Sequence, residues 1–170
     1  MKSIVFDTGP IISLTMNNLL WILEPLKKMG NANFYITDSV KKELVDTPLN
    51  KTKRYKFEAL QVLNYIDNGT LKVVENSEIK KQTAKLMDIA NNCFSAFGHN
   101  MNLVHYAEMS AIALYIQKKA DSFVVDERTT RQLIENPVKL LNILRHKLHT
   151  KVEYNKSSLS EFRKITQNVS

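Results

Sequence analysis

The sequence predicts an α/β fold with a mostly parallel central sheet flanked by helices. Three observations carry the prediction. Short apolar runs alternate with longer segments of helical periodicity, the order in which covering helices join parallel strands. Hydrophobic residues make up 44% of the 170 residues, enough for a core that folds alone. Only four glycines occur, and no linker, repeat or low-complexity segment divides the chain. One domain over residues 1–170 is therefore expected, with a basic helical part over 138–166.

Ser3 to Phe6 is apolar and short, a buried strand ended by Asp7, with Gly9-Pro10 as a turn. Asn18 to Met29 carries Leu19, Leu20, Ile22, Leu23 and Leu26 at helical spacing, with Gly30 as its stop. Asn33 to Thr37 is the second strand. "TDSVKKELVD" follows as a helix capped by Thr37 or Asp38, with Pro48 beyond its end. Lys53 to Ile66 is a helix whose Phe57, Leu60, Leu63 and Ile66 form one face, closed by Gly69. "TLKVVE" is the third strand. Ile79 to Phe97 predicts a long helix, "VHYAEMSAIALYIQKK" another, and "SFVVD" the fourth strand. Glu127 to Glu135 and Val138 to Leu148 predict helices, "KVEY" a short fifth strand, and Leu159 to Ile165 a last helix.

The net charge of +7, from 24 Lys and Arg against 17 Asp and Glu, favours a polyanionic partner, nucleic acid first. A lysine-rich solvated surface would give the same balance. The lone Cys93 permits no disulfide framework or Cys-based zinc site within the chain, which fits a reducing compartment. Asp7 interrupts the N-terminal apolar run before a signal-peptide core forms, and no apolar stretch reaches the ~18 residues of a membrane span. A soluble cytoplasmic protein without a membrane partner is expected.

In open α/β sheets, ligands bind beyond the carboxyl ends of the strands. Asp7 follows the first strand and Asp126 the fourth, so a parallel sheet puts both at one edge. Glu43 lies in the helix after the second strand, between apolar Val40 and Leu44. Glu108 stands among Ala107, Met109, Ala111 and Ile112 at the start of the helix leading into the fourth strand. Each has a plain alternative. Asp7 would cap the turn, Asp126 and Glu108 would serve helix N-termini, and Glu43 would be a surface charge offset by Lys41 and Lys42. Together, four acids on one rim need a cation, because two like charges ~4 Å apart repel by ~4 kcal/mol at an effective dielectric of 20. Oxygen-only ligands select Mg²⁺ or Mn²⁺. On a basic protein such a site suits phosphodiester hydrolysis.

"SIVFDTGPII", "ITDSVKKELVD" and "AEMSAIALYIQKKADSFVVDERTTRQL" resemble the successive acidic motifs of PIN-domain proteins, in order, over residues 3–133. From Pro137 on there is only a general similarity to archaeal-type members. The resemblance implies a PIN-like three-layer fold and a metal-dependent ribonuclease leaving a 5′-phosphate and a 3′-hydroxyl. It implies that Asp7, Glu43, Glu108 and Asp126 are catalytic metal ligands or their close supports, with Thr8 a polar support beside Asp7. It further implies a toxin of a toxin–antitoxin pair or an RNA-processing enzyme, with an antitoxin protein and a second copy of the chain as partners besides RNA. The third acidic motif departs from the usual pattern, with Ala107-Glu108 in place of a "GE" pair and Ser110 where some relatives carry an acid. Glu127, adjacent to Asp126, competes with it for the site, and Asp126 is favoured because it ends the strand.

Arg128 and Arg131 share a helix face after Asp126 and suit phosphate contact, or Arg128 pairs with Glu127. Lys51, Lys53, Arg54 and Lys56 surround Tyr55, a pattern that suits single-stranded RNA through charge and stacking, or a solvated helix start with Tyr55 packed inward. His99, His105, His146 and His149 make no zinc set, and Cys93 sits in an apolar context that buries it. A non-catalytic RNA- or protein-binding module on the same fold is the alternative.

Overall fold

A computed structural model describes residues 1–52 and 54–169. The chain runs β1 (Lys2–Phe6), α1 (Thr8–Met16), a 3₁₀ turn (Leu20–Ile22), α2 (Leu23–Met29), β2 (Ala32–Thr37) and α3 (Asp38–Lys41). A π-helical turn (Lys42–Asp46) leads into α4 (Thr47–Lys51), α5 (Lys56–Asp67), β3 (Leu71–Val74) and α6 (Ser77–Asn91). Then come β4 (Phe94–Ala96), β5 (His99–Asn100), α7 (Tyr106–Lys118), β6 (Ser122–Val124), α8 (Arg128–Glu135), α9 (Pro137–Leu148), β7 (Val152–Tyr154) and α10 (Lys156–Thr166).

The central sheet has the order β3-β2-β1-β6, and every pair in it is parallel, as the alternating sequence predicts. Side chains alternate across a strand, so consecutive residues of β1 feed opposite cores. Val5 joins a cluster with α6, α7 and α9, among them Leu86, Met109, Ile112 and Leu140. Phe6 joins Ile11, Leu23, Phe34, Ile36 and Val62 on the other side. Helices thus cover both faces of the sheet, giving three layers.

Several elements differ from the sequence reading. α1 is not predicted there. It starts directly after Asp7, with Pro10 at its third position, where a missing N–H costs no helical bond. The predicted helix over Asn18–Met29 begins late, because Asn18 takes a left-handed turn (φ 54°) and a 3₁₀ turn precedes α2. Pro48 does not lie beyond the second helix. It sits in the first turn of α4, and the wider π-helical turn before it accommodates the ring.

Of the predicted helix over Lys53–Ile66, Lys53 lies outside the described residues and α5 starts at Lys56. Its buried face is Ala59 and Val62, with Leu63 and Ile66 of the predicted face half-buried against the same core, whereas Phe57 and Leu60 are 68% and 52% exposed. The helix predicted to reach Phe97 stops at Asn91, and Asn92 bonds back to the carbonyl of Asp88 (2.8 Å). Phe94–Ala96 is instead a strand in a hairpin whose tip, Phe97-Gly98, has positive φ at both residues. β7 does not extend the central sheet. It pairs antiparallel with β4, so the second sheet has the order β5-β4-β7.

Candidate metal centre

The topology brings the four predicted acids towards one edge. β1 and β6 are neighbours with Phe6 opposite Val124, and the Asp7 amide extends the ladder by donating to the Val124 carbonyl (3.0 Å). Asp126 leaves β6 two residues later. β2 ends at Thr37, whose hydroxyl caps α3 by accepting from the Val40 amide (3.3 Å), and the continuing π-helical turn carries Glu43. α7 leads into β6, so its first turn, with Glu108, lies at the carboxyl ends of the strands.

Asp7 is 3% exposed, and its Oδ1 is buried without a hydrogen-bond partner. Its carboxyl is pushed up from 3.8 to about 7, first by burial, then by the neighbouring charges of Glu108, Glu43 and Asp126, with the Thr8 amide opposing. The same influences place the four acids within electrostatic reach of one another. Asp7 occupies the position before α1, yet its side chain makes no capping bond. The capping alternative therefore does not describe it.

Hydroxyls hold the other three acids. The Thr8 hydroxyl donates to Glu43 Oε2 (2.7 Å), so Thr8 supports Glu43 through its side chain and Asp7 through its amide. Ser13 donates to Asp126 Oδ2 (3.2 Å). Thr130 donates to Glu108 Oε2 (2.6 Å), which also accepts from the His105 amide (3.2 Å). Glu108 thus serves the first turn of its own helix as well as facing the edge. Its carboxyl is raised by burial, with the Thr130 and His105 bonds opposing. Glu127 is the cap of α8, accepting from the Thr130 amide (2.8 Å), which leaves Asp126 as the acid turned to α1.

Asp126 lies against Gly9 so closely that a Cβ there would fall 1.8 Å from Oδ1 and 2.6 Å from Cγ. Only glycine permits this approach. Gly9, Ser13 and Thr130 were not singled out in the sequence. Gly9 and Ser13 lie four apart on a helix that the Gly-Pro pair disguises as a turn. No local signal links Thr130 to Glu108.

Among the described residues none of the four acids forms an ion pair. Lys41 turns to Asp46 and Lys42 to Asp38, so neither offsets Glu43. An orphaned buried carboxylate oxygen with three further carboxylates and no neutralising side chain fits a hard divalent cation. Asp7, Glu43, Glu108 and Asp126 would hold it. Among the described residues no three His, Cys, Asp or Glu side chains converge on one point, and the three outer acids each accept a hydroxyl bond.

The basic candidates lie on the surface. Lys51, Arg54, Lys56 and Arg128 are exposed, and Lys53 lies outside the described residues. Tyr55 is 54% exposed, so it is not packed inward. Arg131 borders a hollow with Phe123, Val125 and Val169, on the sheet face opposite α1, and is not gathered with the acids. Cys93 is buried, its thiol donates to the Ile89 carbonyl (3.2 Å), and burial pushes it up to about 12, which removes it as a nucleophile.

The sequence model of a family described as a PIN domain matches residues 3–137. No curated protein and no solved structure matches the chain.

Proposed function

The chain belongs to the PIN-domain family, a nuclease-type module, and on that premise we propose that it is a ribonuclease dependent on Mg²⁺ or Mn²⁺. The observation that carries this reading is buried Asp7, with an unpartnered oxygen and three carboxylates around it. When bound, a divalent ion supplies polarisation of the phosphoryl group and of water. The chain's residues supply the rest. β1 holds Asp7 rigidly, and Thr8, Ser13 and Thr130 aim Glu43, Asp126 and Glu108. Lys51, Lys53, Arg54, Lys56 and Arg128 are the cations for the RNA backbone, with Arg131 at a distance. Water oxygen bonds to phosphorus as the bond to the 3′-oxygen breaks, leaving a 5′-phosphate and a 3′-hydroxyl.

The test is cleavage of labelled structured and single-stranded RNAs with Mg²⁺, with Mn²⁺ and with EDTA. Cleavage with either ion and none in EDTA is expected. One domain over 1–170 and a cytoplasmic place of action belong to the same reading. A toxin role would show as growth arrest on expression, relieved by a co-expressed antitoxin, and a dimer as a doubled mass in sedimentation. An RNA-processing enzyme would leave growth intact.

A second reading, a non-catalytic RNA- or protein-binding module, is favoured by the acids' attachment to hydroxyls without convergence on one point. Calorimetry separates the two, because acids that cannot converge bind Mn²⁺ weakly or not at all. Replacing Thr130 by Val should further distinguish them. It keeps the shape but removes a charge-assisted bond, so Glu108 stays protonated to higher pH. Cleavage at pH 7 should fall by about tenfold and the acid limb of the pH–rate profile should move upward, with the melting temperature lowered by a few degrees, roughly 2–6 °C, and the fold kept.

A further inference from the structure

Beside the acids lies a groove of about 370 Å³ between α1, the π-helical turn and α5. Ile12, Met16, Pro48 and Val62 wall it with apolar surface, and Tyr55 stands at its rim. Glu43 lies on the same wall, and its bond to Thr8 links the groove directly to the neighbourhood of Asp7. Tyr55 is held at φ 64°, a conformation L-residues rarely adopt, and the residue is half exposed.

Two polar features decide what fits. Lys51, Arg54 and Lys56 adjoin Tyr55 in the chain, are exposed, and form no ion pair among the described residues. Thr15 on the wall donates its hydroxyl to the Ile11 carbonyl (2.7 Å). That leaves Glu58, a group able only to accept when ionised, as the wall's polar contact besides Glu43. An aromatic rim, an apolar slot, an acceptor and adjacent cations match a flat ring that carries N–H donors and is joined to phosphates. An apolar peptide would fill the slot but leave the cations and Glu58 unmatched.

We infer that this groove seats one unpaired nucleobase of the RNA, stacked on Tyr55 with its N–H edge towards Glu58, while the adjoining phosphates lie towards Lys51, Arg54 and Lys56. The inference rests on the ribonuclease reading and adds to it a seat for one base in the groove beside Glu43.

The experiment is fluorescence anisotropy in EDTA with a labelled single-stranded RNA of about ten nucleotides containing all four bases. It is compared with versions in which each position in turn is abasic. One abasic position is expected to weaken binding by roughly tenfold, in line with base–aromatic stacking. Tyr55→Ala and Glu58→Gln should each shrink that difference while keeping the circular dichroism spectrum. Equal affinity for every abasic version would overturn the proposal. So would a dimer in sedimentation that Met16→Glu dissolves, because a second copy would then cover the groove. Binding is read without metal, so the two readings fail separately. Base-dependent binding without metal-dependent cleavage keeps the groove and removes the nuclease, and cleavage with base-independent binding does the reverse.

Discussion

Asp7→Asn is expected to abolish metal-dependent cleavage and, in the same protein, to raise the melting temperature at pH 8. The two effects share one cause. Asp7 is buried, and its carboxyl is raised from 3.8 to about 7 in the folded chain. A raised carboxyl binds its proton more tightly folded than unfolded. Stability is therefore greatest below about pH 4 and is lost as pH rises to about 7, above which the full penalty of a buried charge applies. The displacement corresponds to about 4 kcal/mol as an upper figure. Asparagine removes that charge in nearly the same shape, so a gain of roughly 5–10 °C at pH 8 is expected, shrinking at pH 5. Mn²⁺ should raise the melting temperature of the unaltered protein and leave the variant nearly unmoved. A variant that is inactive and less stable at pH 8 would instead make Asp7 a structural group. Thermal melts at both pH values, with and without Mn²⁺, beside the cleavage assay decide the matter.

The second large effect belongs to Gly9. Its φ is ordinary for a helix, and alanine there would favour α1 by about 0.5–1 kcal/mol on backbone grounds alone. The new Cβ, however, would stand 1.8 Å from Asp126 Oδ1. The carboxylate has to swing away, losing the Ser13 bond and its place among the acids. Gly9→Ala should keep the fold and lower cleavage by about a hundredfold, because misplacing a catalytic group by an ångström costs that much. Gly9→Ala with full activity would show that Asp126 works from another position, or not at all.

Much of this site was legible before any coordinates, for a topological reason. Parallel strands end on the same edge, so acids at strand ends and at the outer ends of connecting helices gather without any long-range information. Asp7, Asp126, Glu43 and Glu108 all follow from that rule. Which acid of the 126–127 pair faces the site does not follow from a strand end, because β6 stops at Val124; what separates the two is that Glu127 caps α8 while Asp126 lies against Gly9 and Ser13. The hydroxyls were not legible. Ser13 and Thr130 meet their carboxylates across 113 and 22 residues, and no local pattern marks either one. α1 was hidden because Gly9-Pro10 has the composition of a turn, although proline is also at home in a helix's first turn. The β4–β5 hairpin was hidden because Phe94 falls on the helical spacing set by Leu86 and Ile89. Its strand character comes from β7, nearly sixty residues downstream. Only the Leu63 and Ile66 part of the predicted face of α5 meets the core, while Phe57 and Leu60 lie outward, because periodicity identifies an apolar stripe but not how much of it the neighbouring elements bury.

The register of β1 between β2 and β6 has a consequence for how the protein is made. β2 emerges soon after β1, but β6 is not synthesised until residues 122–124. Until it docks, Asp126 has no fixed relation to Asp7. At about 5–20 residues per second, translation leaves an interval of roughly 6–24 s in which the growing chain already carries Asp7 but lacks the strand that completes the site. Under the ribonuclease proposal the ribosome, itself largely RNA, is the nearest potential substrate during that interval. An acid set divided between the first and last strands of the sheet would leave the nascent chain without a complete site beside it.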